Sequence, residues 1–453
     1  MKRLGRKTMA GAIVTLLLVG VGLALATAGG IVAWEYSNSN AFCTNVCHAV
    51  HPEEPVAHAN AFHARVQCVE CHMGRVSTLE MMMIKPTHAH ELWGMVVGYE
   101  RPKHAKTMRP ARDSCEACHW PQVRHSDTVR TKVRYGEDPK SIETRTTLVM
   151  HTGMGEVRES GSKGIHWHIA QELTYVATDD AKQKIPWVQA KGADGKVTTW
   201  YDPTSGVTPQ QIEKLEKRRM DCIDCHNAAG HPFPNPANLV DEAIQEERIS
   251  RSLPGVKARA LATIEKAKAL TGKKDERAAK LDTILAEGSP KDLKPELAKA
   301  DKAFKAEMKR ILLLTSFSDK GLTWKTFPDN VGHNDFPGCF RCHDGKHLDT
   351  GGQAIRLQCT LCHALPKVVR EDGVRSVVST VSPDLTPPPS HQEPNFMHDH
   401  RSKVDDTCKL CHGKIDWGTE GGSFCSNPAC HGRKWPEMNL DAQAAAPAAA
   451  TKR

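Results

Sequence analysis

The longest apolar stretch of the chain lies close to its N-terminus. A basic head, MKRLGRK, precedes about 26 mostly apolar residues between Met9 and Trp34, a length that spans a bilayer with some tilt. Signal peptides have shorter apolar cores, although Ala26-Thr27-Ala28 would suit their cleavage. We therefore predict an uncleaved transmembrane anchor, with a cleaved signal peptide as the alternative. The basic head places the N-terminus in the cytoplasm and the chain after Trp34 outside it.

A second region of helical periodicity lies between positions 241 and 314. It is dense in alanine, lysine, glutamate and leucine, lacks cysteine and histidine, and carries Ile264, Leu281 and other apolar residues at helical spacing. Pro254 and Pro290 should interrupt the helices. We predict about three solvent-facing helices, which either dock a redox partner or brace the neighbouring parts of the chain.

Turn signals dominate the stretch from about 121 to 215. They include Asp138-Pro139, Ile185-Pro186-Trp187 and Ala193-Asp194-Gly195. We predict a loop-rich insertion with a hairpin near 185–201.

The composition indicates that something other than side chains helps to fill the interior of the protein. Hydrophobic residues make up 39% of the 453 residues and aromatic residues 5%, both low for a chain of this size. Sixteen cysteines indicate disulfides, metal sites or covalent cofactor attachment outside the cytoplasm. The composition excludes collagen, a coiled coil, full disorder and a polytopic membrane protein.

The cysteines form eight close pairs, and a histidine directly follows the second cysteine of every pair. The motifs are Cys43/Cys47-His48, Cys68/Cys71-His72, Cys115/Cys118-His119, Cys222/Cys225-His226, Cys339/Cys342-His343, Cys359/Cys362-His363, Cys408/Cys411-His412 and Cys425/Cys430-His431. Six pairs have two intervening residues, the first has three and the last has four. This pattern is typical of c-type haem attachment.

The chemistry of haem c requires this arrangement of residues. Two thiols form thioether bonds to the porphyrin, and the following histidine becomes a proximal ligand of the iron. We therefore predict eight covalently attached haem c groups; disulfides or zinc sites are the alternatives. The haem propionates offset the formal charge of +8, which argues against nucleic-acid binding. Distal histidines at most irons would leave no open iron position, as suits an electron carrier.

Several strings resemble the NapC/NirT family of membrane-anchored multihaem quinol dehydrogenases. They are SNSNAFCT at 37–44, Ala64-Arg65-Val66, Glu91-Leu92-Trp93-Gly94 and MDCIDCH at 220–226. The resemblance covers about residues 1–120 and 215–235, and the C-terminal tetrahaem part is similar to the enlarged seven- or eight-haem members. It implies that the protein oxidises a membrane quinol, with menaquinol as the expected substrate, and passes electrons to a periplasmic or extracellular-respiration partner.

The resemblance also implies a quinol site after the second motif. Lys85 and Glu91 match a lysine and a glutamate six residues apart in the family, and Pro86 would break the helix between them. Glu91 would accept a quinol proton and Lys85 would orient the quinol oxygen. A surface salt bridge or a headgroup contact is the alternative for Lys85. His88 and His90 are rival bases or distal ligands.

Candidate distal ligands come from three parts of the chain. Family position implies His58, His104 and His231; the insertion offers His151, His166 and His168; and the C-terminal part offers His333, His347, His398 and His400. His63, His125 and His391 are unassigned. At the first motif Val50 stands where the family often has methionine, so either His48 or His51 ligates that haem.

The predicted fold is a mainly α-helical, irregular multihaem cytochrome c with one N-terminal transmembrane helix and little sheet. The segments are 1–34 for the anchor, 35–235 for a NapC/NirT-like tetrahaem domain with the insertion, 236–330 for the haem-free helical segment, 331–437 for a second tetrahaem domain and 438–453 for a disordered tail. The expected location is the bacterial inner membrane, with the bulk of the chain in the periplasm. Attachment of the haems would require the cytochrome c maturation machinery.

Two other functions compete with quinol oxidation. One is an octahaem enzyme of the hydroxylamine oxidoreductase or nitrite/tetrathionate reductase type, many of which carry lysine in place of a motif histidine. The other is a haem wire subunit that is fed by a separate quinone enzyme.

Overall fold

A computed structural model describes residues 2–47, 52–88, 93–94, 96–98, 109–119, 127–154, 164–192, 194–290, 292–357, 361–364 and 366–373. Helix α1, Lys2–Ser37, contains a 27-residue segment, Gly11–Ser37, that is long and apolar enough to cross a membrane. Its apolar side chains face outward, with Leu16 71% exposed. Among the described residues no other helix meets that test. The helix predicted from the apolar stretch is therefore confirmed.

Short helices follow the anchor and carry the first cysteine motifs. They are α2 (Asn40–Phe42), a π-helical turn (Cys43–Cys47), α3 (Glu53–Ala59), α4 (Cys68–His72), α5 (Thr78–Ile84) and 3-10 turns at Lys85–His88, Ala111–Asp113 and Cys115–Ala117. Side-chain caps start α2 and α5, because Ser39 accepts from the Phe42 amide and Ser77 from the Glu80 amide, each at 3.2 Å.

Two antiparallel sheets form mainly from the region predicted as a loop-rich insertion, and each is completed by one strand from later in the chain. The first has the order β1 (Thr128–Tyr135), β2 (Glu143–Met150), β7 (Lys367–Arg370). The second joins β3 (Glu172–Val176), β4 (Trp187–Lys191), β5 (Val197–Tyr201) and β6 (Arg218–Arg219) in the order β5-β4-β3-β6. The predicted hairpin near 185–201 is confirmed as β4 and β5, with Val188 opposite Trp200. The sheet content exceeds our expectation.

Three further short helices lie among these strands: α6 (Trp167–Ala170), α7 (Pro209–Ile212) and α8 (Cys222–Cys225). Other 3-10 turns lie at Pro295–Leu297, Trp324–Thr326 and Gly338–Arg341.

Four helices, rather than about three, occupy the cysteine-free segment: α9 (Pro236–Gln245), α10 (Val256–Ala267), α11 (Lys274–Glu287) and α12 (Ala298–Thr315). Pro254 and Pro290 fall in breaks as predicted, and a further break contains Gly272 at φ +98°. These helices are not merely solvent-facing, because they build a large core around Phe304, Met308 and Ile311. Each alanine-rich helix has a narrow apolar stripe, and these stripes pack against one another. A low apolar content is therefore enough to form a buried core.

Buried charge pairs tie this helical unit together and to the first sheet. The Lys257 ammonium lies 2.6 Å from an oxygen of Asp241, which also accepts from the Tyr135 amide at 3.1 Å. The Arg259 guanidinium lies 2.5 Å from Asp301. Because Tyr135 belongs to β1, the helices brace the sheet.

The segment after position 340 packs on the insertion. Strand β7 pairs with β2, Tyr201 bridges to Leu348, and the His151 amide donates to the Cys362 carbonyl at 2.8 Å. The insertion thus contacts the part of the chain that follows the fifth motif.

Candidate haem-binding sites

Short helical turns position the two cysteines of each motif that the structure describes in full. Helix α4 begins at Cys68 and contains Cys71, and α8 begins at Cys222 and ends at Cys225. A 3-10 turn leads from Cys115 to Cys118, and another contains Cys339 and leads to Cys342. Residues three apart in a helical turn project from one side, so both thiols can reach one porphyrin edge. No disulfide joins the two cysteines of these motifs.

Local sequence explains why α8 forms at the fourth motif. The Asp221 carboxylate accepts from the Cys222 amide at 2.6 Å, and Asp224 accepts from the Asp221 amide at 2.7 Å. Each carboxylate therefore satisfies an amide at the helix start. Asp224 is buried, and the Tyr175 hydroxyl donates to it at 2.7 Å.

Among the described residues, histidine rings face one another in five pairs, and each of these pairs joins one motif histidine to one other histidine. The distances between ring centroids are 6.4 Å for His72 and His231, 6.4 Å for His226 and His166, 6.2 Å for His363 and His333, 5.9 Å for His119 and His63, and 5.9 Å for His343 and His168. The pairing of motif with non-motif histidines is what two axial ligands of one iron require.

The spacing of these rings fits a haem iron. Two imidazole nitrogens each about 2 Å from a metal ion put the ring centroids on the order of 6 Å apart. The observed distances of 5.9 to 6.4 Å match this requirement. The adjoining cysteines provide the thioether bonds, so the residues present fit haem c.

Backbone carbonyls fix the tautomer of several paired rings. Nδ1 donates to a carbonyl oxygen in His63 (Ala229, 3.0 Å), His166 (Thr152, 2.6 Å), His168 (Ile165, 2.6 Å), His343 (Arg356, 2.6 Å) and His363 (Ala364, 2.6 Å). A carbonyl only accepts, so the hydrogen is on Nδ1 and Nε2 is the nitrogen for a metal.

Burial keeps the deepest of these rings neutral, which is the ligating form. Burial, together with a smaller contribution from the nearby His168 imidazole, lowers the pKa of His343 to about 4. Burial also lowers the pKa of His168 and of His363.

Two predicted distal ligands, His58 and His347, have other groups at both ring nitrogens, and a third, His151, has a partner at Nδ1. The two ring nitrogens of His58 lie 2.9 Å from the Gly230 carbonyl and 3.1 Å from the Val66 carbonyl. Those of His347 lie 2.9 Å from Asp344 and 2.6 Å from the Ile185 carbonyl. Burial opposes protonation of His347, but the Asp344 carboxylate outweighs it and raises the pKa. His151 contacts Asp127 through Nδ1 at 3.0 Å.

Sequence reasoning left His63 unassigned, yet the structure places it opposite His119. Its neighbour Ala229 lies far along the chain, so no local signal separated His63 from His58. His166, His168, His231 and His333 each face a motif histidine.

Lys85 lies where the anchor ends. Its ammonium donates to the Ser37 hydroxyl at 2.6 Å and lies 4.2 Å from the centroid of the Trp34 ring. Burial lowers the pKa of Lys85. The adjacent helix α5 exposes Leu79 and Met83, so an apolar surface flanks this lysine.

The remaining predicted site residues lie outside the described part of the chain. They are His48, His51, His90, Glu91, His104, Cys359, His398, His400, Cys408, Cys411, His412, Cys425, Cys430 and His431.

Comparison with known proteins finds a matching family model and similar proteins. Residues 6–101 match the model of the NapC/NirT cytochrome c family, N-terminal region. The cytochrome c-type protein ImcH of Geobacter sulfurreducens is 35% identical over 347 residues, which cover 75% of this chain and 68% of that protein. The denitrification system component NirT of Stutzerimonas stutzeri is 29% identical over 160 residues, 31% of this chain and 79% of that protein. No solved structure matches the chain.

Proposed function

The chain belongs to the NapC/NirT family of membrane-anchored cytochromes c, and on this premise we propose that it oxidises menaquinol and delivers the electrons to a periplasmic redox partner. The family supports electron transfer from quinol by a membrane-bound multihaem protein. The finer proposal adds eight haem c groups, an inner-membrane anchor, a periplasmic bulk and attachment of the haems by the cytochrome c maturation machinery. The final acceptor would serve periplasmic or extracellular respiration.

The observation that carries this proposal is the pairing of histidines. Five motif histidines each face a second histidine at 5.9 to 6.4 Å. Haem c, when bound, supplies reversible one-electron chemistry at the iron. Histidines on both sides of an iron exclude a substrate from it, which favours electron transfer over substrate reduction at these five sites.

The proposed quinol site centres on Lys85. A quinol resides in the bilayer, and Lys85 lies beside Trp34 and Ser37 at the end of the only helix of the described chain that could span one. Oxidation of one quinol to a quinone releases two electrons and two protons. The Lys85 ammonium would donate a hydrogen bond to a quinol oxygen, and the Glu91 carboxylate would accept a proton.

Motif chemistry also bears on the competing functions. All eight motifs end in histidine, whereas many octahaem enzymes carry lysine at one of them. A wire subunit that is fed by another enzyme would have the same histidine pairs but would not need Lys85. The discriminating property is therefore direct reaction with quinol.

The test uses the full haem-loaded protein in lipid vesicles without oxygen. We expect added menaquinol to reduce the haems rapidly, as followed by the absorbance band of reduced haem. Lys85→Ala and Glu91→Gln should each slow this reduction at least tenfold, while dithionite still reduces every variant. Lys325→Ala is the matched control, because Lys325 also lies over a tryptophan, Trp324, at 5.6 Å but outside the proposed site.

Each other result changes one part of the proposal. Rapid reduction in both site variants would retain the function and overturn the site. No reduction by any quinol, with haems still reducible by dithionite, would overturn quinol oxidation and favour the wire subunit.

A further inference from the structure

A single short turn in the insertion holds two of the paired histidines. His166 caps helix α6, and His168 lies two residues later in it. Residues two apart in a helix are about 200° apart around its axis, so their side chains project to opposite sides. Trp167 lies between them and packs on the core around Leu173 and Tyr175.

The two rings face different cysteine motifs. His166 faces His226 of the fourth motif at 6.4 Å, with the ring planes 24° apart. His168 faces His343 of the fifth motif at 5.9 Å, with the planes 88° apart. The fourth motif is the last of those that resemble the tetrahaem family members, and the fifth is the first of the C-terminal set.

Hydrogen bonds hold these two motifs against each other. The Arg341 guanidinium donates to the Asp224 carbonyl at 2.8 Å and to the Lys182 carbonyl at 2.9 Å. Asn330 donates to the same Asp224 carbonyl at 3.0 Å. The fourth and fifth motifs are therefore fixed relative to each other as well as to the turn between them.

We propose that the His166–His168 turn provides the distal ligand of two haems at once, the one on the fourth motif and the one on the fifth, and so forms the electron-transfer junction between the two sets of haems. The ligation itself is independent of quinol, and only the role of the turn as an electron-transfer junction rests on the proposed function. The turn fixes the distance between the two irons because its backbone joins both ligands. The insertion is then the element that couples the C-terminal haems to the membrane-side haems.

The test removes one imidazole at a time from the full haem-loaded protein. Carbon monoxide binds ferrous haem only where an axial position is open. After dithionite reduction, His166→Ala and His168→Ala should each bind one more carbon monoxide per chain than the unmodified protein, and the double variant two more. Mass spectrometry should show an unchanged number of attached haems. These measurements need no quinol, so their outcome is independent of whether the protein oxidises quinol.

Electron paramagnetic resonance of the ferric protein distinguishes the two ligands. Perpendicular imidazole planes give a signal of large maximal g value, and near-parallel planes give an ordinary rhombic low-spin signal. His168→Ala should remove intensity from the first signal and His166→Ala from the second. If alanine variants lose haem, His166→Met and His168→Met should retain it and show the red absorption band of methionine-ligated iron.

Gln171→Ala is the matched control, since Gln171 ends the same helical turn and belongs to none of the histidine pairs. It should bind no additional carbon monoxide. Full haem content without a new carbon monoxide site in the His166 and His168 variants would overturn the proposal. So would methionine variants that retain haem but lack the methionine–iron band.

Discussion

The Arg341 guanidinium donates a hydrogen bond to the main-chain oxygen of Asp224 at 2.8 Å, and both residues occupy the variable positions inside a cysteine motif. Arg341 is only 8% exposed and also donates to the Gly338 carbonyl at 2.9 Å. The residues between the cysteines thus connect the fourth motif to the fifth.

Replacing Arg341 with methionine should destabilise the protein by several kcal/mol, because buried acceptors left without a donor cost about 1–3 kcal/mol each. We expect a lower midpoint of thermal unfolding, followed by circular dichroism. Arg370→Met is the control, since Arg370 pairs with Asp372 at the surface and should change the midpoint little. Equal midpoints for the two variants would contradict the buried role of Arg341.

Gly338→Ala should impair haem attachment at the fifth motif. Gly338 precedes Cys339, has φ +54°, and an added Cβ would lie 1.5 Å from the Gly332 carbonyl oxygen. Neither the backbone angle nor that contact accommodates a side chain. Mass spectrometry of the purified chain should show one haem fewer in a large fraction of molecules. Gly230→Ala, where a Cβ meets nothing within 4 Å, should keep the full number.

Asp301 should contribute stability that acid removes. Burial opposes its ionisation, but hydrogen bonds from Lys305 and Arg259 outweigh burial and lower the pKa. A lowered carboxyl pKa gives stability that is present above the ordinary value of 3.8 and is lost as the pH falls through the folded-state value. Asp301→Asn should therefore lower the free energy of unfolding at pH 7 by about 3 kcal/mol and flatten its acid dependence.

Urea unfolding between pH 3 and pH 7 measures that difference. Asp282→Asn is the control, because Asp282 pairs with Lys309 at the surface. A steep acid dependence that persists in the Asp301 variant would assign it to other carboxylates.

A cavity in the core of helices α9–α12 should destabilise this helical unit. Phe304 is fully buried and the Arg259 guanidinium lies 4.1 Å from its ring centroid. Phe304→Ala should lower the free energy of unfolding by about 3–5 kcal/mol, because it removes buried apolar surface and leaves a cavity. Hydrogen exchange of α9–α12 amides should accelerate markedly, whereas Leu215→Ala, at a site 38% exposed, should leave exchange unchanged. Unaltered exchange in the Phe304 variant would contradict the core described above.

Local signals in the sequence predicted those structural features that are determined by residues close together in the chain. The apolar run gave helix α1, the motifs identified their own histidines, and the turn at Gly195 marked the hairpin of β4 and β5. Long-range packing was not predictable in the same way. Nothing near His63 or His58 shows which ring faces His119, because that choice depends on contacts with residues 229 and 230.

The helical segment illustrates the same limit. Its few apolar residues, diluted by alanine and lysine, suggested solvated helices, and only the assembly of four helices shows that Leu281 and Ile311 share one core. Likewise, no local pattern indicated that β7 would complete the sheet of β1 and β2.

The position of β7 imposes an order on biogenesis. Strand β2 is synthesised early, and its partner Lys367–Arg370 emerges only after the fifth and sixth motifs. Translation runs from the N-terminus at about 5–20 residues per second, so the first sheet keeps an open edge for on the order of ten seconds or more. During that interval the earlier cysteine motifs are on a chain whose scaffold is incomplete and accessible. Haem attachment at the earlier motifs can therefore precede closure of the sheet, so late completion of the fold is compatible with ordered loading from the N-terminus.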